Sequence, residues 1–464
     1  MDYEVLVVGG GIGGLSVAAL LAARGVSVCL FERQSRPGGC VSDFEHLGYS
    51  FEPTSGLYSG WEPGGIHDQI FAELPIKPPE VRRQSPAYVV RLPDQTEVAV
   101  SDNMDQFEAQ LRLAFPECAS AAVNFYRQMF QLTGARLPGS LHEPMSKHLS
   151  ELSPRFQRFL DVQLQTLIQC QSDQCSFLQG AAALTIPLRG IWSIHGGAQA
   201  LADALAESLR QSGGRLRLDS PVLRLAYESH GVPVGVDLLN GERVTARRVI
   251  SNLTIWDTYG KLIGPGRVPS NVSAQLKQLH GWGVYLLFLG LDKDAVSRLN
   301  SNTTLLLTDW QYDKTYEPDQ AQLTFAASQS PDRAPEGKVA VTVSAFTNAE
   351  EWFTFHEDES SHEQQDQATL ESLWSRLHQA MPELGDSIEV IETSTPRAFY
   401  ENTRRRFGIT GKLYPYPDGL LTDPQFGTTI YPNVFMVGDT ISSGIGLEGL
   451  CASALALADA LTMR

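Results

Sequence analysis

The pattern of apolar and polar positions predicts a β-α-β unit at the beginning of the chain. Residues 3–8 and 26–31 are short runs rich in β-branched and apolar residues, which is typical of buried strands. Between them, residues 15–24 form an apolar run without a helix breaker, and Gly25 is well placed to end a helix.

Further along, the spacing of apolar residues changes twice. Residues 44–51 and 88–100 alternate like hairpins, whereas from residue 102 to about residue 184 the apolar positions recur with helical spacing. A second strand-rich block follows, with strands predicted at residues 282–291, 304–307, 323–327 and 339–346. Near the end, residues 434–437 predict a strand and residues 450–462 a helix rich in alanine and leucine.

The turn between the first predicted strand and helix carries a nucleotide-binding motif. Gly9, Gly11 and Gly14 fit G-x-G-x-x-G, with Gly13 inside the motif, and Glu32 lies at the end of the second strand. The first glycine permits a tight turn, the second lets a diphosphate approach, and the third lets helix and strand pack closely. An acidic residue in the position of Glu32 can accept hydrogen bonds from a ribose, so the unit predicts a dinucleotide site.

NAD and FAD both satisfy this motif, and the rest of the chain favours FAD. Gly38 and Gly39 suit a longer cofactor whose diphosphate continues beyond the first turn, and Ser55 and Gly56 lie in a Gly/Ser-rich loop that a ligand can approach. The end of the chain adds a second nucleotide-type segment. It places a carboxylate and helix N-terminal amides where the ribitol and flavin would lie, from Gly438, Asp439, Gly446 and Leu447.

Composition and charge limit the other partners. The chain has 464 residues and a formal net charge of −17, which argues against nucleic-acid binding and gives no broad attraction to anionic lipid. A local apolar contact with a membrane remains compatible with this charge. Six cysteines without a C-x-x-C pair favour reduced thiols and predict no metal site.

The chain shows no secretory leader and no apolar run of the roughly 20 residues that a spanning helix needs. We therefore expect a cytoplasmic protein, either soluble or attached peripherally to a membrane through a local contact. The oligomeric state stays open.

Four stretches together resemble the FAD-dependent carotenoid desaturase and isomerase family, within the flavin amine oxidase superfamily. They are G-G-G-I-G-G-L with the later F-E-R and R-P-G-G, V-I-S-N-L-T-I-W-D-T-Y-G-K-L at 249–262, T-P-R-A-F-Y at 395–400, and the terminal G-D-T-I-S-S-G-I-G. The two ends are shared by the superfamily and indicate only FAD. The block at 249–262 is more specific and points to the isomerase-like branch.

The resemblance implies a fold and a domain division. The expected fold class is α/β, with a Rossmann-type FAD-binding domain, like that of glutathione reductase, interleaved with a substrate domain of β-sheet and helices. The FAD-binding domain would comprise residues 1–85, 186–260 and 395–464, and the substrate-binding or cap domain residues 86–185 and 261–394.

The resemblance also implies roles for individual residues. Glu32 would bind the adenosine ribose, Arg33 would flank the adenine, and the backbone of Val222 would pair with it. Gly9, Gly11, Gly14, Gly38, Gly39 and Gly438 would serve the diphosphate, Asp439 the ribitol, and Gly446 with Leu447 the flavin.

Two positions depart from the family pattern, because Cys40 follows Gly39 and Glu448 replaces an apolar residue beside the expected flavin. Glu448 is our candidate acid/base residue, and the alternative is that it caps the last helix. His195, in an I-H-G-G turn, is a second candidate whose alternative is a structural role.

The preferred function hypothesis is an FAD-dependent oxidoreductase or isomerase that acts on a long apolar isoprenoid or carotenoid polyene. Two alternatives stay open. One is a flavoenzyme like the amine or protoporphyrinogen oxidases. The other is a flavin- or carotenoid-binding protein without turnover.

Overall fold

The computed structural model describes residues 1–132, 143–312, 316–353, 359–385, 388–408, 411, 429–442 and 444–462. Within these residues the α-helices are, in chain order, α1 (Ile12–Ala23), α2 (Ile66–Glu73), α3 (Met104–Ala114), α4 (Ala119–Gln131), α5 (Pro154–Ile168), α6 (Phe177–Arg189), α7 (Gly197–Gln211), α8 (Ile255–Asp257), α9 (Ser270–Leu276), α10 (Lys293–Val296), α11 (Pro318–Ala321), α12 (Glu359–Ala380), α13 (Pro396–Thr403) and α14 (Gly446–Thr462).

Strands and helices alternate near the beginning and the end of the described chain, whereas consecutive strands follow one another at residues 215–251 and predominate at residues 282–394. The strands are β1 (Tyr3–Val8), β2 (Val28–Phe31), β3 (Phe44–His46), β4 (Tyr49–Phe51), β5 (Val81–Arg83), β6 (Tyr88–Arg91), β7 (Glu97–Val100), β8 (Trp192–Ile194), β9 (Arg215–Arg217), β10 (Val222–Tyr227), β11 (Pro233–Leu238), β12 (Arg243–Ser251), β13 (Trp282–Asp292), β14 (Thr303–Leu307), β15 (Gln322–Ala327), β16 (Lys338–Asn348), β17 (Ile388–Ser394) and β18 (Val434–Met436).

The first of the two large sheets positions the predicted cofactor segments. Its strand order is β10-β11-β12-β1-β2-β9, and β18 also pairs with β12. The pairs β12–β1, β1–β2, β2–β9 and β12–β18 are parallel. Because parallel strands end at the same edge, the residues after β1, β2, β12 and β18 lie side by side, and ligands of open α/β sheets bind at that edge.

Helices cover one face of this sheet. Leu15 and Leu20 of α1 are fully buried against β1, β2, α7 and α14. The helix is buried almost all round, from Ile12 to Ala22, which is why its sequence is a continuous apolar run and not an amphipathic one. Gly25 follows with a φ of +81°, as the predicted end of the helix requires.

The second large sheet has the order β17-β13-β16-β15-β14-β6-β7 and is antiparallel except for the β14–β6 pair. Helices α3, α4, α5 and α6 pack their apolar faces against β6, β7 and β14 in one buried cluster. The predicted hairpins at 44–51 and 88–100 and the helical region after residue 102 are confirmed. The strands of the two sheets come from different parts of the chain, but the predicted domain boundaries themselves stay a prediction.

Candidate functional site

A cavity of about 990 Å³ opens where the parallel strands of the first sheet end. This volume is at the upper end of the roughly 300–1,000 Å³ that is usual for ligand sites. Six of the residues that the sequence predicts as cofactor ligands line it: Gly9, Gly11, Glu32, Arg33, Gly39 and Val222. The cavity therefore lies where the motif places a dinucleotide.

The glycine turn is packed so tightly that side chains have no room. A methyl group built on Gly14 would lie 2.2 Å from the carbonyl oxygen of Gly9, so α1 could not keep its approach to β1 with any other residue there. Gly9 has a φ of +101°, in the left-handed region that favours glycine. The amide of Gly38 donates to the carbonyl of Gly10 at 2.8 Å, which joins the second glycine pair to the first turn.

Glu32 lies at the end of β2 with its carboxylate held over the turn. One carboxylate oxygen accepts a hydrogen bond from the amide of Gly10 at 2.7 Å, and the other accepts from the amide of Gln34 at 2.8 Å. Each carboxylate oxygen has further lone pairs, and Glu32 lines the cavity. The carboxylate is thus oriented to accept from a ribose hydroxyl.

The outer edge of the cavity is closed by α13. The guanidinium of Arg33 and the side-chain amide of Gln34 both donate to the backbone carbonyl of Asn402. Burial lowers the pKa of Arg33, and the like charge of Arg404 acts in the same direction while Glu32 opposes both. Arg33 therefore joins the predicted adenosine end of the site to α13.

The C-terminal segment brings Asp439 close to the same cavity, and Arg405 contacts it there. The guanidinium of Arg405 donates to the Asp439 carboxylate at 2.7 Å, and the amide of Gly411 donates to the same oxygen at 3.1 Å. Burial lowers the pKa of Arg405, but the charge of Asp439, its hydrogen bond with Arg405 and further acidic groups nearby together outweigh burial, and the pKa is raised. Arg405 lines the cavity as a permanent cation. In the sequence it belongs to the arginine triplet at 404–406, which by itself favours a solvated or salt-bridged surface over contact with a phosphate or lipid head group.

A second residue that the sequence did not single out is Asn252. It follows β12 and its side chain lies among the glycines of both cofactor segments, since methyl groups built on Gly11 and Gly13 would each lie 2.8 Å from its carboxamide. A methyl group on Gly438 would lie 3.4 Å from the same carboxamide. The only sequence signal for this residue was its place in the V-I-S-N block.

Ser55 and Gly56 do not line the large cavity but a small polar one of about 50 Å³. Glu52 borders this space and accepts hydrogen bonds from the amide of Ala198 at 2.9 Å and the hydroxyl of Tyr58 at 3.2 Å. Burial raises the pKa of Glu52, and the positive charge of Arg333 offsets only part of the shift. Among the described residues, the structure therefore does not bring Ser55 and Gly56 into contact with the large cavity.

The two candidate catalytic side chains also lie outside the cavity lining. The Glu448 carboxylate forms an ion pair with Arg189 at 3.3 Å, and Arg189 lies 3.6 Å from Glu62. Glu448 is in the first turn of α14, beside Gly446 and the buried Leu447. His195 is exposed, and its backbone amide donates to the carbonyl of Glu80 at 2.8 Å. Their predicted roles stay predictions.

The donor set around the cavity fits FAD. The glycine turn leaves a cradle that any Cβ would fill, and the N-terminus of α1 supplies partial positive charge for a diphosphate. Five basic side chains line the space, which suits an anionic ligand in an otherwise acidic protein: Arg33, Arg36, Lys261, Arg404 and Arg405.

The family model for flavin containing amine oxidoreductases matches residues 12–462. The chain belongs to this family. Its membership confirms the predicted flavoenzyme class, and the dinucleotide site specifies FAD as the flavin cofactor. The chain is therefore an FAD-dependent oxidoreductase.

Individual family members and a solved structure extend this likeness over the whole chain. The chloroplastic prolycopene isomerase of Daucus carota is 24% identical over 97% of this chain and 78% of its own. A 4,4'-diapophytoene desaturase of Methylomonas sp is 24% identical over 97% of this chain and 93% of its own. An oxidoreductase structure from Methanosarcina mazei superposes with a TM-score of 0.69 at 17% identity, over 98% of this chain and 99% of that one, which confirms the fold class.

In the described part of the chain, no helix is both long and apolar enough to cross a membrane. Across those same residues, no group of three or more His, Cys, Asp or Glu side chains is arranged to hold a metal ion.

Proposed function

We propose that this flavoenzyme acts on a long apolar isoprenoid polyene, by desaturation or by cis-trans isomerisation of a double bond. The observation that carries the proposal is the similarity over 97% of the chain to an isomerase and a desaturase whose names specify such polyenes. The specific block at 249–262 favours the isomerase-like branch.

The predicted substrate domain and the predicted cofactor cavity differ in the side chains that they contain. The elements assigned to the substrate domain bury aromatic side chains between α3, α4, α5 and α6, including Phe107, Phe115, Phe156, Phe159 and Phe177. The charged side chains described above instead surround the predicted cofactor cavity. The aromatic side chains form a packed core and line neither cavity described above, so the proposed substrate class rests on the sequence similarity and not on this packing.

The chemistry needs little from the protein beyond binding and proton handling. When bound, FAD supplies hydride acceptance for a desaturation, or electron density for a redox-neutral isomerisation. In a desaturation, a hydride and a proton leave adjacent carbons, and a base or water takes the proton. We propose Glu448 for that role, because the first turn of α14 is the predicted flavin end and Arg189 holds its carboxylate in place. A helix-capping role remains the alternative.

Purification from a carotenoid-producing bacterial host tests the proposal without an assumed reaction. We expect a flavin absorbance band, FAD released on denaturation, and a co-purified polyene in the organic extract. An unrelated flavoprotein purified from the same host is the control, because an abundant pigment can co-purify without specific binding. An extract that holds FAD but no more polyene than the control would contradict the proposed substrate class and leave the cofactor assignment intact.

A second candidate function is oxidation of an amine, which the name of the matching family favours. Release of hydrogen peroxide on addition of primary amines would distinguish it from action on a polyene.

A further inference from the structure

Asn252 occupies the junction between the two halves of the predicted cofactor site. It follows β12, which pairs in parallel with β1 on one side and with β18 on the other. Its backbone amide donates to the carbonyl of Val8, the last residue of β1, at 2.8 Å. The amide of Val437, just after β18, donates to the carbonyl of Ser251 at 2.9 Å.

The side chain of Asn252 fills space that three glycines leave open. Its carboxamide nitrogen would lie 2.8 Å from a methyl group on Gly11, and its carboxamide oxygen 2.8 Å from one on Gly13. Its Cβ would lie 3.0 Å from a methyl group on Gly14. The carboxamide therefore lies beside Gly11, the second glycine of the motif, whose missing side chain lets a diphosphate approach.

Neighbouring residues of the 249–262 block fix this position. The hydroxyls of Ser251 and Thr258 are fully buried and hydrogen-bonded to each other at 2.7 Å. The amide of Ile255 donates to the hydroxyl of Thr440 at 3.0 Å, which joins the block to the residue after Asp439. The backbone of Asn252 is thus tied to both cofactor segments, and the glycines packed around its side chain limit the entropy that the side chain can lose on binding a ligand.

A carboxamide suits this position chemically. It can donate to a phosphate oxygen through one end and accept from a backbone amide through the other, without burying another charge. Arginine and lysine side chains already line the outer parts of the cavity.

We propose that Asn252 is a cofactor-positioning residue, whose side-chain N–H donates to the FAD diphosphate and couples the N-terminal glycine turn to the C-terminal segment. The block that is specific to the isomerase-like branch then has a role in holding the cofactor. This inference concerns FAD alone and does not depend on the polyene.

Two variants separate a hydrogen bond to the diphosphate from a purely structural role. Asn252→Ala removes the donor, and Asn252→Asp replaces it with a negative charge of nearly the same shape. FAD is removed from the purified holoenzyme and titrated back by flavin fluorescence, without substrate, at about 50 mM and 300 mM salt, across which exposed charges are increasingly screened. Asn271→Asp, at an exposed position on α9, is the charge-matched control.

We expect the FAD dissociation constant to rise about tenfold in Asn252→Ala and about a hundredfold in Asn252→Asp, with no change in Asn271→Asp. The excess penalty of Asn252→Asp over Asn252→Ala should shrink at the higher salt, because it arises from repulsion between two anions.

Binding by Asn252→Asp within threefold of the wild type would overturn the proposal, as would equal, salt-independent losses in the two variants. If Asn252→Asp does not fold by circular dichroism, Asn252→Ala decides: a tenfold loss supports the proposal, and binding within threefold overturns it.

Discussion

Gly14→Ala is expected to lower the free energy of unfolding by about 3 kcal/mol, at the upper end of the usual cost of overpacking. The added methyl group would lie 2.2 Å from the carbonyl oxygen of Gly9 and 3.0 Å from the Cβ of Asn252. The clash is with backbone and with a fixed side chain, so α1 has to move away from β1. This movement widens the turn that cradles the diphosphate, and we expect FAD to bind about tenfold more weakly, a loss of about 1.4 kcal/mol.

Gly266→Ala is the matched control for this prediction, because nothing lies within 4 Å of its Cβ position and its φ is not in the left-handed region. Its stability should stay within about 0.5 kcal/mol of the wild type, as for most surface substitutions. Chemical denaturation of both variants measures the free energy of unfolding, and titration with FAD measures the affinity for the cofactor. A Gly14→Ala protein with wild-type stability and full FAD content would show that the glycine turn is not packed as described.

Arg333→Met is expected to destabilise the protein by about 3–5 kcal/mol, the usual cost of removing one partner of a buried ion pair. The Arg333 guanidinium donates to both oxygens of Asp43 at 2.8 and 3.1 Å, and both side chains are less than a tenth exposed. It also donates to the carbonyl of Ser50 at 3.1 Å. The substitution therefore leaves Asp43 without its cation and removes the positive charge beside the half-buried Glu52.

The loss in Arg333→Met should be smaller at acid pH. Burial already raises the pKa of Glu52 above its unfolded value, so the folded chain binds a proton there more tightly than the unfolded chain does. Protonation of Glu52 therefore stabilises the folded chain at low pH, and this contribution to the free energy of unfolding is lost as the pH rises through the folded pKa of Glu52. Removing Arg333 raises that pKa further and enlarges this effect.

Chemical denaturation of wild type and Arg333→Met at neutral and acid pH checks this prediction. Arg243→Met is the control, since the Arg243 side chain is 51% exposed in its pair with Asp237 and should contribute at most about 1 kcal/mol. An Arg333→Met protein no less stable than this control would contradict the described burial of the pair.

The spacing of apolar and polar residues predicts most strands and helices of the fold. It predicts element boundaries least well where a glycine is present because of a tertiary contact. The first strand and the strand at 282–291 match the structure closely because each is a short apolar run between turn residues. The apolar run predicts the last helix over residues 450–462 and the motif places its N-terminal amides at Gly446 and Leu447; the helix begins at Gly446. Glycine disfavours helices, so local propensity does not extend the helix over Gly446 and Gly449. Glycine is present there because of a tertiary contact: a methyl group on Gly444 would lie 2.3 Å from the Gly449 Cα.

Only those residues of the site that belong to a local sequence motif could be predicted. The glycine turn and Glu32 are adjacent in the sequence and share one β-α-β unit. By contrast, Asn252 meets Val8 and Arg405 meets Asp439 only through folding, and neither residue type signals a cofactor site by itself. The arginine triplet at 404–406 favours a solvated or salt-bridged surface by default, yet Arg404 and Arg405 line the cavity. Such contacts follow from strand order, which periodicity does not encode.

Turnover of an isoprenoid polyene by this FAD enzyme is tested most directly with a poly-cis carotenoid. The FAD-loaded protein, oxidised and anaerobically reduced, is incubated with the carotenoid, and the products are separated by chromatography. We predict a new geometric isomer or a more desaturated product that forms only when FAD is present. An unchanged polyene, together with hydrogen peroxide released from a primary amine by the same preparation, would contradict this prediction.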